Sequence, residues 1–227
     1  MITSTTQSMK IKQIESIGTA ACFMLFPILF VTAQLLHPNL FHMDTIKSAA
    51  DWVNHFRGQQ LLHFAHLLEF VCAPLLIIMA LHFKSRLKTQ MPAAVFVGTA
   101  MVFIGALMLL GNKSALCLTI SGFDTLGDHE LETMLPGLDV LLNREGWLVV
   151  LNLLPLLPIG WVLLGIVIIK TKLISRWQSI PLTIGSLLLA NPEIEVVNLV
   201  ASFFLAAGFI PYSLTLLKEI NRERDVR

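Results

Sequence analysis

The sequence predicts an all-α polytopic membrane protein, a bundle of six apolar spans with both termini cytoplasmic and amphipathic helices on the outer surface. Three observations predict it. The 227 residues are 55% hydrophobic and only 14% charged, where a soluble domain carries about 25% charged residues, and the mean hydropathy is +0.74. The apolar residues gather in segments, most of them near the roughly 20 residues that cross a bilayer as a helix. The connections between those segments alternate in charge, with Lys and Arg at one set of ends and nearly every His and most acids at the other. The net charge of +1, with no extended Lys/Arg run, excludes a nucleic-acid partner as an expectation. The expected surroundings are the lipid bilayer, as a multi-pass protein of a bacterial-type cytoplasmic membrane. The oligomeric state is left open.

A single membrane domain is expected over 1–227, with spans at about 17–36, 61–83, 93–112, 147–169, 180–191 and 196–217. Lys10, Lys12 and the later Val31-Thr32-Ala33 have the pattern of a signal peptide, but the segment reads as the first span. The third apolar run could continue toward Phe123. The fifth is short, and loop charge is the argument that it crosses. Lys10 and Lys12, then Lys84, Arg86 and Lys88, then Lys170, Lys172 and Arg176, then Lys218, Arg222, Arg224 and Arg227 all fall on one side only if there are six spans. The opposite connections are acidic: Asp124, Asp128, Glu130, Glu132, Asp139 and Glu145, then Glu193 and Glu195.

Two outer connections have helical patterning. In the segment 44–57, Ile46, Ala49, Ala50, Val53 and Phe56 recur at helical spacing, which predicts an amphipathic helix on the membrane interface with Asp44 as its cap. The segment 131–142 predicts a second, interrupted by Pro136 and Gly137. Trp52 and Trp147 are expected at the outer interface and Trp177 at the inner one. Pro27, Pro74, Pro155, Pro158 and Pro211 predict kinks. Ala94, Gly98 and Gly105 on the third span, with Gly160 and Gly165 on the fourth, predict close helix contact. Cys22, Cys72 and Cys117 are dispersed, form no CxxC pair, and read as small apolar side chains without a disulfide framework.

Gly165, Lys170, Ile174-Ser175-Arg176-Trp177 and Ile184-Gly185 resemble an uncharacterised bacterial family of six-helix membrane proteins, a domain of unknown function. The first half is similar in order: a span, an amphipathic connector ending in Phe56-Arg57, then a span. The resemblance covers most of the chain in layout. It implies the six-helix fold and carries no activity or catalytic residue.

The chemistry-bearing residues lie on the outer half. His63, His66 and Glu69 are three apart on the second span and share one broad face. Glu69 falls about 12 Å below Leu61 at 1.5 Å per residue. A carboxylate at that depth costs a few kcal/mol, so it must face the bundle interior, carry a proton or have a partner. Lys113 is the natural partner, for Glu69 or for Glu193; the alternative is that it snorkels to the outer headgroups. Together with His66, Asn152, Glu193 and Asn198 these residues predict a polar, outward-facing pocket for a small molecule or a lipid, as in a carrier. The fifth span, at about 17 Å from 180 to 190, would end below the surface and help to form it.

Two other classes fit the same residues. His63, His66 and Glu69 could contribute to a transition-metal or haem site in a membrane enzyme, although no H-E-x-x-H or paired-Cys signature is present. Alternatively, the polar groups serve helix contacts in a structural or accessory subunit. Ser114, Ser121, Asp124 and His129 lie close in sequence but form no nucleophile elbow, and Ser and Asp in loops more often cap turns.

Overall fold

The computed structural model describes residues 2–38, 40–41, 48–142, 152–191 and 194–225. Among them are eight α-helices and no strand: α1 (Ile2–Leu35), α2 (Ala49–Phe56), α3 (Gln60–Leu87), α4 (Pro92–Phe123), α5 (Asp128–Leu142), α6 (Leu156–Thr171), α7 (Arg176–Leu188) and α8 (Glu195–Asp225). Six of them form the bundle, and successive members run in opposite directions. Ser213 Oγ, in the second half of α8, donates to the Ala20 carbonyl near the middle of α1 at 2.7 Å. Gln34, at the far end of α1, reaches Glu69 near the start of α3. Gly98 and then Gly105 of α4 face Leu164 and then Leu157 of α6, and Gly208 of α8 faces Leu182 of α7.

Four helices contain segments long and apolar enough to cross a membrane: Ile11–Leu35, Gln60–Leu87, Pro92–Phe123 and Glu195–Arg222. The expected six full spans are therefore corrected to four. The other two are shorter, with 16 residues in α6 and 13 in α7. At 1.5 Å per residue these reach only about 24 and 20 Å, against a hydrocarbon core of about 30 Å. The fourth span was expected from 147; residues 143–151 lie outside the described residues, and Asn152 and Leu153 are non-helical. Pro155 stands as the N-cap of α6 rather than kinking it, a position where its missing N–H costs nothing. The third span runs further than expected, to Phe123, so Lys113 sits well inside α4.

The exterior of the bundle is apolar and its interior holds the polar side chains. Leu25, Phe64, Phe96, Phe103, Ile166, Leu187 and Phe203 are exposed, while Gln34, His66, Glu69, Thr99, Ser179, Ser186, Ser202 and Ser213 are buried. Water would not tolerate that arrangement over so large an area, and lipid does. The buried hydroxyls are satisfied by backbone carbonyls, as in Thr99 to Val95 at 2.7 Å and Ser186 to Leu182 at 2.8 Å. The protein is membrane-embedded and all-α.

Glycine sets the closest helix contacts, as the small-residue spacing predicted. A Cβ on Gly160 would stand 2.7 Å from the Val102 amide nitrogen and 2.8 Å from the Gly98 carbonyl oxygen, so α4 and α6 meet backbone to backbone. Gly165 serves a different partner, Thr183 of α7. An aromatic cluster of Phe23, Phe83, Trp161, Phe209 and Tyr212 fills the other half of the core.

The two amphipathic helices form on the expected segments. They pack on each other and on the ends of α3 and α4 through Ala49, Val53, Phe56, Leu62, Phe123, Leu131 and Leu138, forming a second, smaller core. They act as a cap on one end of the bundle, with Met134 and Val140 of α5 left exposed. Asp44 lies outside the described residues. The N-cap of α2 is Ser48, which accepts from the Asp51 amide at 3.1 Å. Helix α5 runs from Asp128 through Pro136 without interruption. Arg57 ties α2 to α5 through Asp128 at 2.6 Å and the Leu126 carbonyl at 2.9 Å. Gly58, at φ 74°, makes the turn into α3 and donates to Asp124 at 2.6 Å. Trp52 is half-buried in this cap and Trp177 is exposed at the start of α7; Trp147 lies outside the described residues.

Candidate functional site: a charged cluster beneath the cap

The buried polar residues of the capped half converge on one point between α1, α3 and α4. Helical spacing on α3 turns Ala65, His66, Glu69, Cys72 and Ala73 inward, so the carboxylate enters the bundle with His66 one turn above it. Helix α4 runs antiparallel and brings Lys113 to the same level. Glu69 Oε2 is paired with Lys113 Nζ, and Glu69 Oε1 accepts from Gln34 Nε2 at 2.7 Å. Glu69 and His66 are 8% and 6% exposed. This is the burial that a carboxylate at membrane depth requires, with a full charge and an amide donor to offset desolvation.

Lys113 Nζ also lies 2.8 Å from His66 Nδ1. An ammonium only donates, so Nδ1 accepts and the ring proton of His66 resides on Nε2. That Nε2 is buried and has no hydrogen-bond partner among the described residues. Around it stand the His37 ring, with centroids 5.5 Å apart at 74°, and the Phe56 ring of the cap, at 5.4 Å. His37 Nδ1 is itself engaged with the Ala33 carbonyl at 2.9 Å. A buried donor left unpaired costs about 1–3 kcal/mol.

Of the residues expected at the site, three meet: Glu69, His66 and Lys113. Asn198 is used elsewhere. It accepts from Asn191 Nδ2 at 2.7 Å, and Asn191 Oδ1 accepts from the Ile194 amide at 2.6 Å, which closes the α7–α8 turn. Asn152 is half-buried in the connector before α6. Glu193 lies outside the described residues. His63 stands at the cap. Its Nε2 contacts the Phe56 carbonyl at 3.1 Å and its Nδ1 lies 3.8 Å from Asp124, so it serves the cap. Among the described residues no group of three His, Cys, Asp or Glu side chains is arranged to hold a metal ion. The hydrolase grouping does not form either. Asp124 receives the Gly58 amide, Ser121 donates to the Leu118 carbonyl and His129 is exposed.

Two members escaped the sequence reading. Gln34 and His37 both stand one turn from the end of the first span, and a lone glutamine in an apolar run was the available signal. Placing them required knowing that α1 packs against α3.

No family model, curated protein or solved structure matches the chain.

Proposed function

We propose that the four long helices cross the membrane with both termini cytoplasmic, α6 and α7 forming a shorter hairpin between them, and that the protein binds a small molecule or a lipid from the capped outer face as a carrier does. The alternating directions of α1, α3, α4, α6, α7 and α8 support that path. So does the loop charge, which places Lys84, Lys172 and Lys218 on one side and Asp51, Asp128 and Glu132 on the other. Cysteines introduced at Lys88, Lys172 and Asp128 in a cysteine-free background test it with a membrane-impermeant reagent. The first two should label from the cytoplasm and the third from outside; opposite labelling of Lys88 and Lys172 overturns that path.

One observation carries the binding reading: the His66 Nε2 donor, buried beside a charged pair and unpaired among the described residues. Glu69 supplies the titratable charge, Lys113 its counter-charge, and His66 the free donor to a ligand oxygen. The experiment compares wild type with the Glu69→Gln/Lys113→Met double variant, both extracted in native lipid nanodiscs and examined by native mass spectrometry. A retained species present on wild type and missing from the folded double variant supports binding here. Identical retained species on both reject it. The near-complete pairing within the cluster favours a second reading, an accessory subunit in which these residues clamp α1, α3 and α4. That reading is supported if the double variant loses a co-purifying membrane protein instead of a small ligand.

A further inference from the structure

Away from the charged cluster, a groove of about 300 Å³ opens on the lipid-facing seam between α3 and α4, lined by Leu81, Lys84, Phe96, Thr99, Phe103 and Ile104. We propose that it is a binding site for an anionic phospholipid of the cytoplasmic leaflet, one acyl chain lying in the groove and the phosphate on Lys84. The proposal rests on the membrane reading and not on the ligand-binding reading of the Glu69 cluster.

The groove walls are apolar except at two places, and those two behave differently. Thr99 has turned its hydroxyl inward onto the Val95 carbonyl at 2.7 Å, so it offers no donor to an occupant. Lys84 remains as the only cation in the lining. Among the described residues no carboxylate pairs with it, and its ammonium stands 5.7 Å from the centre of the Phe96 ring at the wall. Its neighbour Arg86 is engaged with Glu219 at 3.9 Å, so Lys84 is the charge left over. An apolar slot with one uncommitted ammonium at its mouth is complementary to a molecule with an apolar chain and an anionic head.

Depth agrees with that assignment. Lys84 is in the last turn of α3 and Phe96 is about one turn into α4, at the end of the bundle where the Lys and Arg clusters gather. From Phe96 to Ile104 the groove follows α4 for about 12 Å, running from that end toward the bilayer centre along the direction of an acyl chain. Cytoplasmic leaflets carry the anionic lipids, and each Lys near such a surface gains about 1 kcal/mol, or about fivefold in affinity.

The test uses full-length protein in mixed micelles, titrated with phosphatidylglycerol or phosphatidylcholine of identical chains, with thermal stability and native mass spectrometry as readouts. Wild type should bind phosphatidylglycerol about fivefold more tightly than phosphatidylcholine. Lys84→Gln should remove that preference, while Lys88→Gln, outside the groove, should keep it. Ala100→Phe, which fills the groove, should lower binding of both lipids. Glycerol 3-phosphate, the headgroup without chains, should not compete. Equal affinity of wild type for the two lipids, an equal loss in Lys88→Gln, or effective competition by glycerol 3-phosphate each overturns the proposal.

Discussion

Replacing Lys113 by Met leaves the Glu69 carboxylate without its counter-charge in the interior of the bundle. Removing one partner of a buried ion pair costs about 3–5 kcal/mol. Here the lower end applies, because Glu69 retains Gln34 at 2.7 Å and can gain a donor from His66 Nδ1, 3.5 Å away, once Lys113 no longer occupies that nitrogen. About 3 kcal/mol corresponds to a fall of about 6–12 °C in Tm for a chain of this length. Glu69→Gln also destabilises, for a different reason. The glutamine oxygen can accept from Gln34 or from Lys113, and its amide then points a donor at the remaining donor. The double variant removes both conflicts. Gln at 69 accepts from Gln34 through its oxygen and donates to His66 Nδ1 through its nitrogen, and Met at 113 packs without a charge.

The expected result is a coupling free energy of about 2–3 kcal/mol, with the double variant more stable than Lys113→Met alone. The assay is thermal and denaturant unfolding in a fixed detergent, followed by far-UV circular dichroism. A double variant whose loss equals the sum of the two single losses refutes the argument, because Glu69 and Lys113 would then not be coupled.

Three further outcomes follow from the packing. Gly160→Ala should cost about 1–3 kcal/mol through overpacking, because its Cβ meets the backbone of Val102 and Gly98, whereas Gly98→Ala should cost less, its Cβ meeting the mobile end of Leu164 at 3.1 Å; paired unfolding curves check the order. Ser48→Ala should loosen α2 by about 1 kcal/mol, seen as faster amide exchange across Ala49–Phe56 with little change in the bundle. Tyr212→Phe, which strips the 2.8 Å partner from His82 Nε2, should cost about 1–2 kcal/mol, and His82→Phe in the same background should recover part of it.

The membrane class and the buried charged pair were legible because lipid permits few solutions. A glutamate at that depth must face inward, and Lys113 was the one cation at matching depth on a neighbouring span. The glycine contacts of α4 with α6 were legible for the same reason, since small residues recur where backbones approach. The cap was not. Helical spacing of Ala49, Val53 and Phe56 shows that α2 has an apolar face, but spacing cannot say whether lipid or protein covers it. His63 illustrates the same limit: it shares a helix face with His66 and Glu69, yet the turn at Gly58 brings the Phe56 carbonyl and Asp124 within its reach. The length of α6 was obscured because hydropathy alone extends through the non-helical stretch at Asn152 and Leu153.

The cap and the cluster are joined through Phe56, whose ring lies 5.4 Å from that of His66. From Glu69 to the start of α3 at Gln60 is about 14 Å, and from Lys113 to the end of α4 at Phe123 about 15 Å. The pair therefore sits at equal depth beneath a roof made of Leu62, Phe123 and the α2–α5 helices. On the proposed binding reading, a ligand entering through the cap displaces Phe56. Phe56→Ala should weaken the small capping core by about 3 kcal/mol, raising the open fraction roughly a hundredfold, while the long bundle contacts remain. A cysteine placed at His66, with the native cysteines replaced, reports the opening through its rate of reaction with a water-soluble thiol reagent. The rate should rise steeply in Phe56→Ala and stay unchanged in Phe103→Ala, on the lipid-facing groove. Equal rates with and without Phe56 would mean that water reaches the cluster by another route and that the cap is not its door.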